Sequence, residues 1–166
     1  MSARAEVQLH LLRHAHAGDP MKWHGPDEIR PLSEKGRLQS ERLGRFLAAA
    51  GFAPDAILTS PRLRAVETAQ LVATALGLPF RVDDELAGPL EIESLEAILT
   101  NAGDPRRPLL VGHDPDFSEL AAALTGMPEL PVRKGALVRV DLLRPIEAGT
   151  GVLRWLLPPD LLAITD

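Results

Sequence analysis

Two arginines and two histidines stand directly behind apolar runs in this chain: Arg13 and His14 in "HLLRHAHAG", Arg62 in "SPRLRA", and His113 in "PLLVGHDPD". An imidazole is uncharged near neutral pH and can act as a nucleophile when its second nitrogen is fixed by a hydrogen bond. A guanidinium presents a planar fork of donors matched to phosphate oxygens. Arg62 follows Ser60 and Pro61 at a predicted helix start, where free backbone N–H groups and the helix dipole also favour an anion. Singly, each residue has an ordinary reading: an arginine at a helix start is most often a solvated surface group, and Arg64 is read that way. A histidine at a strand end is most often a hydrogen-bonded structural group. Together the four suit a dianionic phosphoryl group, provided the fold brings them to one place.

The elements that would do so follow from periodicity. Residues 7–12 form a nearly continuous apolar run, as expected of a central parallel strand. In "SEKGRLQSERLGRFLAAAG", Leu38, Leu43, Phe46 and Leu47 recur at helical intervals, with Ser33 as cap and Gly51 as stop. The alternation repeats: "DAILTS" reads as a strand, "PRLRAVETAQLVATALG" as a helix from Pro61 to Gly77, and "FRV" as a short strand. "IESLEAILTNAG" then reads as a helix, "RPLLVGH" as a strand and "PDFSELAAALTG" as a helix. "ALVRVDLLR" and "GVLRWLLP" read as two edge strands joined through "PIEAGTG". Strands alternating with helices predict an α/β three-layer sandwich with a mostly parallel central sheet flanked by helices. In such sheets ligands bind beyond the carboxyl ends of the strands, where all three motifs fall.

With 166 residues the chain is read as one domain, 1–166, since a chain of this size buries about two thirds of its unfolded surface around one core. Its net charge of −5 argues against long-range attraction to nucleic acid or an anionic membrane, so an anionic ligand needs a local basic site. The absence of cysteine removes disulfides, thiolate metal sites and cysteine nucleophiles, and fits a reducing compartment. The N-terminal apolar segment is short for a signal peptide and no stretch has the length of a membrane span. The expectation is a soluble, cytoplasmic protein without a cofactor.

The sequence resembles the histidine phosphatase superfamily, whose signature is an RHG or RHA motif after the first strand, here Arg13-His14-Ala15. "RPLSEKG" at residues 30–36, "TSPRLRAVETA" at 59–69 and "VGHDP" at 111–115 follow in the family order. The short chain, the Arg-Pro-Leu before the first helix and the lack of a long helical insertion look most like the SixA-type phosphohistidine phosphatases. The resemblance implies a phosphoglycerate mutase-like fold, with His14 as the nucleophile that becomes phosphorylated. It also implies that Arg13, Arg62 and His113 bind the phosphoryl oxygens. Arg30 is either a family-typical residue lining the mouth and meeting substrate or a plain surface charge. His16 and His24 match no family catalytic position.

One position departs from the family. Many larger members carry a glutamate general acid two residues after a leucine beyond the third strand, and that spacing from Leu86 lands on Gly88. Glu85, Glu91 and Glu93 are nearby candidates, each with a competing reading as a solvated carboxylate. A general acid matters most when a basic alkoxide leaves, whereas a protonated histidine ring departs readily from phosphorus. The departure therefore fits a phosphohistidine protein as substrate. Three alternatives stay open: a phosphatase or mutase acting on a small phosphorylated compound, a metal site using His14 and His16 on one face of an extended segment, and a phospholigand-binding module without turnover.

Overall fold

Residues 4–163 are described by the structure, a computed structural model. Six strands form one sheet: β1 (Ala5–Arg13), β2 (Ala56–Thr59), β3 (Arg81–Val82), β4 (Pro108–Gly112), β5 (Leu137–Arg144) and β6 (Val152–Leu157), in the order β3-β2-β4-β1-β5-β6. Strands β3, β2, β4 and β1 pair in parallel; β5 runs antiparallel to β1, and β6 pairs antiparallel with β5 as the predicted edge hairpin. The sheet is mixed and mostly parallel.

Four helices cover it: α1 (Glu34–Ala49), α2 (Leu63–Leu76), α3 (Ile92–Asn101) and α4 (Asp116–Thr125). Side chains alternate across β1, and the two faces build separate cores. Leu9 and Leu11 pack with Leu95, Ile98, Phe117 and Leu120 of α3 and α4. Leu12 packs on the other face with Leu43, Leu47, Ala69 and Val72 of α1 and α2. Every residue of β4 is buried, as a central parallel strand requires.

Two expectations about helices need correction. Leu38 and Phe46 are exposed, and the face of α1 that turns inward is Gly36, Ser40, Leu43, Gly44 and Leu47. Small residues occupy it because α1 lies close on α2: a Cβ on Gly44 would stand 2.7 Å from the Ala75 Cβ. Helix α2 begins at Leu63 instead of Pro61, with Arg62 as its extended N-cap residue. The other signals hold: the Ser33 side chain accepts the Gly36 N–H, and Gly77 closes α2 in the left-handed conformation.

Candidate active site

Because β2, β4 and β1 are consecutive in the sheet, the three motifs that follow them sit side by side at its carboxyl edge. The turn after β1 is pinned from several directions. The His14 N–H donates to the Gly112 carbonyl at 2.9 Å, and the carbonyls of Arg13 and His14 both accept the Gly135 N–H. The Ala15 N–H donates to Thr68 Oγ1 at 3.1 Å. Backbone from β4, the turn before β5 and a side chain of α2 thus fix where the His14 ring projects.

His14 is 5% exposed. Its Nδ1 lies 2.8 Å from the Ala15 carbonyl oxygen, which only accepts, so the ring proton is on Nδ1 and Nε2 keeps its lone pair. Arg64 Nε donates toward that Nε2 at 3.4 Å. Burial pushes the His14 pKa down to about 3; the Ala15 hydrogen bond opposes this, while the charges of His113, Arg64 and Arg13 add to it. The ring is therefore neutral at physiological pH.

The His113 ring centroid lies 5.2 Å from that of His14. Its Nε2 is 2.6 Å from Ser60 Oγ, and the same hydroxyl oxygen accepts the Arg62 N–H at 3.3 Å. The other ring nitrogen, Nδ1, is a buried atom with no partner among the described residues. Burial and then Arg64 and Arg62 lower the His113 pKa to about 3.

Arg13 donates from one terminal nitrogen to the Val132 carbonyl at 3.0 Å and to Asp114 at 3.3 Å. The Arg62 side chain stays one-third exposed, 3.9 Å from Asp27 Oδ2. Arg64, expected to be a solvated surface residue, is instead 4% exposed and belongs to the cluster. The reason is helix phase: α2 buries Ala65, Thr68, Ala69 and Val72, and Arg64, four residues before Thr68, shares that inward face. The plain surface reading of Arg30 fails as well, since Arg30 is 6% exposed and donates to the Ala17 carbonyl and to Asp27.

Asp27 was not singled out by sequence reasoning. It opens a 3-10 turn over Asp27–Ile29 and is held by Arg64 through both its carbonyl and its carboxylate, at 2.8 and 3.0 Å, and by Arg30 at 3.0 Å. Partial burial works to raise its pKa, but the bonds and charges of Arg30 and Arg64 outweigh this and hold the carboxyl below its ordinary range. The available signal was its spacing, three residues before Arg30 and directly after Pro26, which suits a tight turn closed by an arginine.

The three glutamates considered as acids, Glu85, Glu91 and Glu93, are all exposed. Gly88 ends the 3-10 turn over Asp84–Ala87 and brings no side chain to the site. His16 Nδ1 lies 2.6 Å from Ser33 Oγ at the start of α1, and His24 is exposed. Among the described residues no group of three or more His, Cys, Asp or Glu is arranged to hold a metal ion. A neutral imidazole with an unprotonated Nε2, set among guanidiniums, is equipped for attack on an anionic phosphorus centre whose charge the arginines offset.

Comparison with known proteins agrees with this chemistry. The sequence model of the histidine phosphatase superfamily (branch 1) matches residues 9–91. An uncharacterised protein of Picosynechococcus sp. (strain ATCC 27264 / PCC 7002 / PR-6) is 35% identical over 71% of this chain and 73% of its own. The phosphohistidine phosphatase SixA of Escherichia coli (strain K12) is 28% identical over 92% of this chain and 94% of its own. The structure of the protein histidine phosphatase SixA complexed with tungstate superposes with a TM-score of 0.80 at 28% identity, covering 94% of this chain and 99% of that one.

Proposed function

The chain belongs to the histidine phosphatase superfamily (branch 1), and from that premise we propose that it removes phosphoryl groups from phosphohistidine in a protein substrate, with His14 as nucleophile. Similarity to SixA over nearly the whole chain supports the substrate class. The single observation that carries the mechanism is the His14 ring, with Nδ1–H bound to the Ala15 carbonyl and Nε2 directed at the guanidinium of Arg64.

In the first half-reaction His14 Nε2 bonds to phosphorus as the P–N bond of the substrate breaks. The substrate ring, protonated on its other nitrogen, leaves as a neutral imidazole. Arg62, Arg64 and Arg13, with His113 beside them, stabilise the transferring oxygens. His14 still carries its Nδ1 proton, so the phosphoenzyme is itself a phosphoimidazolium. In the second half-reaction water bonds to phosphorus, the Nε2–P bond breaks, His14 returns to its neutral form and inorganic phosphate departs. Both leaving groups are imidazoles, and neither needs a proton from the protein.

An alkoxide would need one. Asp27, the carboxylate bonded into the arginine cluster, is held ionised and is a poor donor. This favours phosphohistidine over a small alkyl phosphoester. The test compares turnover of phosphoimidazole and a histidine-phosphorylated peptide with glycerol phosphate and p-nitrophenyl phosphate. The expected order places the phosphoimidazole compounds first and the aryl ester above the alkyl ester. An alkyl phosphate hydrolysed fastest would replace this reading with that of a small-phosphoester phosphatase.

A further inference from the structure

Beside the site lies a second, more basic feature. A pocket of about 500 Å³ is lined by Arg13, His16, Lys35, Arg42, Arg133 and Lys134, and among the described residues Asp160 is the one acidic side chain in its wall. Arg13 is shared with the catalytic cluster, so pocket and site are contiguous. Lys35, Arg42, Arg133 and Lys134 form no ion pair among the described residues, whereas Arg30, Arg37, Arg64, Arg139, Arg144 and Arg154 all do. Lys35 stands in the first turn of α1, where the helix dipole disfavours a cation. Burial and the nearby Arg13, Arg30 and Arg64 charges lower the Lys134 pKa, a sign that the cations here repel one another. In a chain of net charge −5, what sets this wall apart is that Lys35, Arg42, Arg133 and Lys134 are gathered with Arg13 around one pocket.

Its shape points to an extended anionic partner. Lys35, Gln39 and Arg42 follow at i, i+4 and i+7 along one face of α1, a run of about 10 Å at the helical rise per residue. That is longer than one phosphate group. The acidic net charge disfavours a polyanion such as nucleic acid, so the attraction acts at short range on a surface of mixed charge.

We propose that this basic groove docks an acidic surface of the phosphoprotein substrate, flanking the phosphohistidine that enters the site. The inference rests on the phosphohistidine reading above and extends it to how the substrate is chosen.

The test uses three substrates with the full chain: phosphoimidazole, a histidine-phosphorylated peptide with aspartate- and glutamate-rich flanks, and the same peptide with serine flanks. The acidic peptide is expected to have a kcat/KM about tenfold above the serine peptide at low salt, an advantage that fades as the Debye length shrinks. The variant Lys35→Glu/Arg42→Glu/Arg133→Glu should remove that advantage and leave phosphoimidazole turnover within about twofold. A milder Lys35→Gln/Arg133→Gln variant, at two exposed positions, should reduce it without disturbing the fold. Equal rates on both peptides, or equal losses on all three substrates in the variants, would overturn the docking proposal alone. No turnover of any of the three by the unaltered protein would overturn the phosphohistidine reading and this inference with it. Inhibition by a DNA oligonucleotide at lower concentration than by the unphosphorylated acidic peptide would reassign the groove to nucleic acid.

Discussion

The Nδ1 proton of His14 is held by one acceptor, the Ala15 carbonyl, and the ring is kept neutral by burial among cationic groups. That arrangement has a cost that folding must absorb. His10, His14 and His113 would each protonate near 6.5 when unfolded, but in the folded protein they resist until about 4, 3 and 3. At acidic pH the unfolded chain binds more protons, so the stability these groups allow is fully present above pH 6.5 and is lost as the pH falls below it. The urea midpoint should therefore drop between about pH 7.5 and pH 5, each histidine contributing up to about 1.4 kcal/mol per pH unit. A midpoint that holds or rises over that window would contradict the buried neutral rings. Arg64 is the second test at this scale. Arg64→Ala should reduce kcat/KM on the order of 10²-fold, because the guanidinium bonded to the nucleophile is lost and Asp27 keeps only Arg30 as a hydrogen-bonded side-chain partner. A loss below about threefold would place Arg64 outside the chemistry. The sequence reading gave the phosphate role to Arg62 and left Arg64 to solvent, whereas Arg64 lies one turn before Thr68 on the buried face of α2.

Elements carry the site through their ends, and those ends were legible to different degrees. Apolar runs and Gly or Ser punctuation revealed every strand of the sheet and the four helices, because burial imposes period and composition, most completely on β4. Strand order was not legible: that β4 lies between β1 and β2, so that His113 meets His14 and Arg62, depends on crossovers with no local signal. The inward face of α1 was misjudged because contact made by glycine and serine carries little hydrophobic pattern. Gly36 shows why such contact matters. A Cβ there would stand about 2 Å from the His16 carbonyl oxygen, the atom that also accepts the Ser33 N–H. Gly36→Ala should push α1 away from the turn after β1, lower stability by about 1–3 kcal/mol and reduce turnover along with it. Unchanged thermal midpoint and activity would show that the contact is not tight.

Across the whole molecule, charge is sorted by position. A net acidic body surrounds a basic mouth in which the arginines serve the phosphoryl group. Composition gave the net charge and excluded cysteine chemistry, while the motifs gave four of the cluster residues. Asp27 and the inward turn of Arg64 emerged only with the fold, since ion pairs between a loop and a helix leave no periodic trace. The central claim is that phosphoryl transfer passes through His14. It is tested most directly by rapid quenching at alkaline pH during turnover of ³²P-labelled phosphoimidazole, followed by peptide mapping. The account predicts acid-labile, alkali-stable label on His14 that forms no more slowly than product appears, and that is absent, with turnover, from a folded His14→Ala variant. Turnover without label on His14, or activity retained by that variant, would contradict it.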